Sequence, residues 1–78
     1  MKSYIFGVEL VHEDDGRWSA GVPALPGCAT WGYTKEEALI ALRDAAQAYI
    51  EVLLEKGQRI PLEQVIDSMD VPVVAVTV

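Results

Sequence analysis

The chain opens on an alternation of residue types. Residues 4 to 12 read Tyr-Ile-Phe-Gly-Val-Glu-Leu-Val-His. Successive side chains of a strand point to opposite faces. Tyr4, Phe6, Val8, Leu10 and His12 therefore share one face, and Ile5, Gly7, Glu9 and Val11 the other. The first face is the core candidate. Glu13-Asp14-Asp15-Gly16 then predicts a hairpin turn, with Asp15-Gly16 as its strongest signal. A second strand follows over residues 17–22, with Trp18, Ala20 and Val22 on a common face. Pro23-Ala24-Leu25-Pro26-Gly27-Cys28 cannot continue a central strand, because two prolines lack donors, and it reads as a stiff, ordered loop. The third strand spans Ala29 to Tyr33, with Ala29, Trp31 and Tyr33 on one side, and completes a meander.

The pattern then changes period. Thr34 is a good N-cap, Glu37 lies three residues on as in a capping box, and Glu36 puts a second negative charge at the positive end of the helix dipole. Gly57 stops the helix after Lys56, and Pro61 follows. The predicted helix covers residues 35–56, roughly 33 Å at 1.5 Å per residue. Leu39, Leu42, Ala46, Tyr49, Ile50 and Leu53 form one apolar stripe, widened by Ala38, Ala45 and Val52 and again by Ala41 and Ala48. Asp44, Gln47, Glu51 and Glu55 form the polar side, with Ile40 as an apolar exception. A helix on one sheet needs an apolar arc of only a little over about 100°. The surplus points to a second contact, for which Ala41, Ala45, Ala48 and Val52 are the candidates. The alternative is that alanine is merely the best helix former.

Residues 62–67 read as a short helical turn or as irregular chain. Val73-Val74-Ala75-Val76-Thr77-Val78 is β-branched and almost wholly apolar, as in a strand covered on both faces or by a partner. The order β-β-β-α-β predicts an α+β domain of two layers, with one long helix on one face of a small mixed sheet. A right-handed crossover would place the last strand parallel to an earlier one. A single domain is expected over residues 1–78, without repeats or linkers.

Composition sharpens this picture. A chain of 78 residues builds a marginal core unless something assists it. Cys28 is the only cysteine and His12 the only histidine, so neither an internal disulfide nor a closed zinc site is available. Oligomerisation is the remaining aid, and 51% hydrophobic residues agree with it. The net charge of −6, from six basic and twelve acidic residues, opposes direct nucleic-acid binding and suits a basic protein partner. The first residues form no signal peptide, and no run approaches the roughly 20 apolar residues of a membrane span. A cytoplasmic protein is expected.

The sequence supplies little chemistry. Candidate carboxylates for a two-metal hydrolase are Glu9, Asp14, Asp15, Asp44, Glu51, Asp67 and Asp70, but turn formation and a solvated helix face account for most of them. Ser3, Ser19 and Ser68 have only His12 as a base. Cys28 has no cationic neighbour in sequence to activate it, and a small buried residue is the preferred reading. No catalytic or metal-binding residue and no cofactor is assigned.

A family resemblance completes the reading. Val22-Pro23-Ala24-Leu25-Pro26-Gly27-Cys28-Ala29-Thr30 resembles the P-x-L-P-G segment of HicB-like proteins. Gly32-Tyr33-Thr34-Lys35-Glu36-Glu37-Ala38 is similar to the G-x-T-x-E-E-A start of their helix, and Tyr49 to Pro61 looks like its end. The resemblance implies a partial ribonuclease-H-like fold. It further implies an antitoxin that neutralises HicA, a small basic ribonuclease acting on messenger RNA. Many family members carry a further DNA-binding segment; this chain stops at Val78, so a minimal form without one is expected. The turn acids Glu13, Asp14 and Asp15 and the loop residues Pro23, Leu25, Pro26, Gly27 and Cys28 are the candidate contacts to the toxin. Ala41, Ala45, Ala48 and Val52 are the candidate contacts between copies, as a homodimer or higher oligomer. The alternatives are a solitary oligomeric domain with an unknown ligand and a metal-dependent hydrolase.

Overall fold

The computed structural model describes residues 3–61 and 72–77. The elements run β1 (Ser3–Gly7), β2 (Glu9–His12), β3 (Trp18–Gly21), β4 (Ala29–Gly32), α1 (Lys35–Glu55) and β5 (Val73–Thr77). The two-layer α+β architecture expected from the sequence is present, with α1 packed on strands β3, β4 and β5. The expected turn over residues 62–67 lies outside the described residues.

Two details differ from the sequence reading. The strand expected over residues 4–12 changes partners at Val8. β1 pairs with β5, and β2 pairs with β3, which pairs in turn with β4. The cause lies in the proline loop. Glu9 opposes Gly21, so the same register would set Gly7 against Pro23, which has no N–H to give. Val8 instead donates its amide to the Pro72 carbonyl at 2.9 Å, extending the β1–β5 ladder. Second, β5 runs antiparallel to β1, with Ser3 opposite Thr77 and Gly7 opposite Val73, and not parallel to an earlier strand. The chain between α1 and β5 is long enough to reverse direction before pairing.

The predicted core face holds. Phe6, Val8, Ala20, Val22, Val74 and Val76 meet Ala38, Leu42, Ala46 and Ile50 of α1 in one buried cluster. Leu25 and Cys28 close it from the loop. β5 is covered on one face only: Val74 and Val76 are buried, whereas Val73, Ala75 and Thr77 are exposed.

The helix ends are built as the sequence predicts. The Thr34 hydroxyl oxygen accepts the Glu37 amide at 3.0 Å. Gly57 takes φ +70°, its amide reaches the Leu54 carbonyl, and the Gln58 amide reaches that of Leu53. These paired bonds form a Schellman motif, which satisfies carbonyls the helix leaves unpaired. At the other end, the Thr30 hydroxyl donates to the Ala38 carbonyl at 3.1 Å and ties β4 to the first turn of α1.

Candidate protein-binding surfaces

Alternation along each strand places one set of side chains under the helix and leaves the other on an uncovered sheet face. Ile5, Val11, Trp31, Tyr33 and Val73 lie on that open face and are all about half exposed or more. Between them stand small residues, among them Gly7, Gly21, Ala29 and Ala75. Exposed Glu9 lies on the same face opposite Gly21, and large apolar groups exposed together make a surface suited to a partner.

The hairpin of β2 and β3 forms one end of this face. The Gly16 amide donates to the Glu13 carbonyl, the Glu13 amide donates to the Arg17 carbonyl, and Gly16 has φ +93°. Arg17 folds back on Asp15, its Nε and a terminal nitrogen each 2.7 Å from Oδ2. The Arg17 amide also donates to Oδ1 of Asp15. The guanidinium beside Asp15 holds its carboxyl below the ordinary carboxylate range, and Asp15 in turn raises the Arg17 guanidinium. The same guanidinium sits 5.1 Å from the centroid of Trp31, in cation–π range. Trp31 meets Tyr33 edge-on at 5.2 Å. Glu13 accepts from the Ser19 hydroxyl at 2.8 Å. Glu13, Asp14, Asp15, Arg17, Ser19 and Trp31 together line an open cleft of about 460 Å³. Of the three turn acids, Asp15 is thus paired with Arg17 and Glu13 with the Ser19 hydroxyl.

The proline loop lies at the opposite end of β3, roughly 17 Å away at about 3.4 Å per residue. The candidate contacts therefore fall at two separate places. Leu25 is fully buried and Cys28 nearly so. Their place in the candidate contact set is corrected: two turns, closed by bonds from Leu25 to Val22 and from Cys28 to Leu25, point both side chains into the core. Burial also pushes the Cys28 thiol up. Pro23, Pro26 and Gly27 remain at the surface.

Of the helix positions proposed for self-contact, Ala45, Ala48 and Val52 line a shallow groove with Tyr49, Leu53, Lys56 and Gln58. Ala41 lies outside it. His12 stacks on Trp18 at 4.3 Å with the rings nearly parallel, a packing role. Among the described residues no three His, Cys, Asp or Glu side chains cluster to hold a metal, and no helix is long and apolar enough to cross a membrane.

Sequence reasoning placed Trp31 and Tyr33 together but gave neither a part in binding, and it assigned Arg17 no role. The available signal was that Ile5, Val11, Trp31 and Tyr33 put large apolar groups on the face opposite the core.

Residues 4–72 match a family described as the HicB-like antitoxin of bacterial toxin–antitoxin systems. A UPF0150 protein of Thermoplasma acidophilum is 46% identical over 56 residues, covering 72% of this chain and 81% of its own. A UPF0150 protein of Synechocystis is 40% identical over 63 residues, covering 81% and 80%. In structure, the chain is similar to the N-terminal domain of the Burkholderia pseudomallei antitoxin HicB, with a TM-score of 0.69, 23% identity, and coverage of 95% of this chain and 96% of that one. Against the larger HicB antitoxin structure the TM-score is 0.65 at 22% identity, and the match covers all of this chain but 64% of that one. The structural likenesses establish the fold. The family follows from the match over residues 4–72 and from the relatives' identity: the chain belongs to the HicB-like antitoxins.

Proposed function

We propose that this chain neutralises a small, basic, HicA-type ribonuclease by binding it directly. The family match over residues 4–72 carries the reading, and the chemistry of the open sheet face supports it. A ribonuclease that grips RNA must display a positive groove. A partner with net charge −6 is drawn to such a groove, and electrostatics accelerate the encounter. Glu13 and Asp14 present carboxylates at the hairpin, and Trp31 and Tyr33 present aromatic surface beside them. Aromatic groups next to charges are the usual makings of a strong contact. Arg17 beside Trp31, 5.1 Å from the ring centroid, is the kind of contact that an arginine of a basic partner would make there. Pro23, Pro26 and Gly27 form a second exposed patch at the far end of the same sheet.

In this reading the chain works in the cytoplasm as a binding protein without catalysis, cofactor or direct contact to nucleic acid, and copies of it associate. The experiment is a pull-down with the basic product of the neighbouring gene, followed by an RNA cleavage assay with and without this chain. Recovery of the partner together with loss of cleavage supports the proposal. Failure to recover a basic protein favours a solitary oligomeric domain. Magnesium- or manganese-dependent hydrolysis lost on Glu9→Ala favours the hydrolase.

A further inference from the structure

The open edge of β5 is the feature that the antitoxin reading leaves unused. Val8 bonds to Pro72, and hydrogen-bonded pairs alternate along an antiparallel ladder. The pairs facing β1 are therefore Val8 with Pro72, Phe6 with Val74, and Tyr4 with Val76. The backbone groups of Val73, Ala75 and Thr77 point the other way. Among the described residues β5 pairs with β1 alone.

Exposed edges are normally blunted by lysine, proline, a bulge or a covering element. Val73–Thr77 holds no charge and no proline. Beside it runs a cleft lined by Leu39, Ile40, Arg43, Val73, Val74 and Ala75. Ile40, the apolar exception on the polar side of the helix, is 56% exposed there.

We propose that β5 pairs with β5 of a second copy of this chain, antiparallel about a two-fold axis at Ala75. This inference rests on the reading that copies associate, and it names the surface. Its support is the self-complementarity of the edge. With Ala75 opposite its own copy, Val73 faces the partner's Thr77 and Val74 faces the partner's Val76. Every row then joins small or β-branched residues, which suit a pleated sheet. The outward groups of Val73, Ala75 and Thr77 form three hydrogen-bonded pairs, about six backbone bonds in all. The axis also brings the partner against the cleft at Ile40. Charge favours the same surface. Two copies of net charge −6 repel each other, and a strand without charge, bordered by Arg43, brings them together where that repulsion is weakest.

Light scattering at micromolar concentration tests this on wild type, Ala75→Pro and Val73→Lys, with far-ultraviolet circular dichroism to verify folding. Ala75→Pro removes only an outward-facing donor, and Val73→Lys installs a charge on an exposed side chain. The expected wild-type mass is twice 8.5 kDa. Both variants should keep the wild-type spectrum and raise the dimer dissociation constant by on the order of 100-fold. Should Ala75→Pro unfold, Val73→Lys and the exchange rate of the wild-type Ala75 amide decide, since that amide should gain protection as concentration rises. A monomeric wild type would overturn self-association and the edge together. A folded variant that stays dimeric, or an Ala75 amide whose exchange ignores concentration, would overturn the edge alone. In that case Val52→Glu, placed in the helix groove, would dissociate the dimer.

Discussion

A β-carbon added to Gly32 would stand 2.6 Å from the backbone nitrogen of Ala38. Gly32 ends β4, and Ala38 lies in the first turn of α1, so this glycine sets how closely helix and sheet approach. The Thr30 bond to the Ala38 carbonyl holds the same junction.

Gly32→Ala should therefore destabilise the fold by about 1–3 kcal/mol, the range for overpacking against groups that cannot yield. Gly21→Ala is the control: its β-carbon would meet its nearest atom at 3.6 Å, an ordinary contact. Chemical denaturation compares the two. Equal losses would mean that the helix start can move.

Leu42→Ala should cost about 2–5 kcal/mol, because Leu42 is fully buried at the middle of α1 and its loss leaves a cavity. Gln47→Ala, on the exposed side, should stay within roughly 0.5 kcal/mol. Denaturation midpoints measured at an unchanged m-value check both.

These helix predictions rest on what the sequence displays most clearly. The capping signals of Thr34 and Gly57 are local, and the apolar stripe through Leu42, Ala46 and Ile50 repeats at a single period. The meander was legible for similar reasons, since Asp15-Gly16 and Pro23-Pro26 punctuate it. The direction of β5 was not legible. It depends on how the chain returns after Gly57, and strand alternation carries no sign of direction. The switch of partners at Val8 was hidden too, because it arises from Pro23, fifteen residues further along the chain, and only the register reveals it. Among the candidate contacts, the turn acids are at the surface as expected. Leu25 and Cys28 are not, because a loop stiffened by two prolines can still turn its side chains inward.

The Asp15 carboxyl should titrate below its ordinary 3.8, chiefly because the Arg17 side chain hydrogen-bonds to it. A lowered folded-state pKa stabilises the hairpin above the unfolded value, and that contribution fades as pH falls through the folded one. Arg17→Gln should return the carboxyl toward 3.8. Carboxyl chemical shifts followed against pH read this directly. An Asp15 midpoint unaffected by the substitution would separate the two residues in solution.

Cys28 should react slowly with a thiol reagent in the native protein and rapidly in denaturant, since burial both hides the thiol and disfavours the thiolate. Equal rates in the two conditions would place the loop in an open form.

We propose that the open sheet face captures a basic ribonuclease. The most direct test is RNA cleavage by the neighbouring gene product, titrated with this chain and with Trp31→Ala. The wild-type chain should abolish cleavage near equimolar ratio. Trp31→Ala, folded by circular dichroism, should need about 30-fold more protein, corresponding to roughly 2 kcal/mol lost at a central aromatic contact. Cleavage that continues at saturating wild-type chain, or inhibition equally strong with Trp31→Ala, would contradict it.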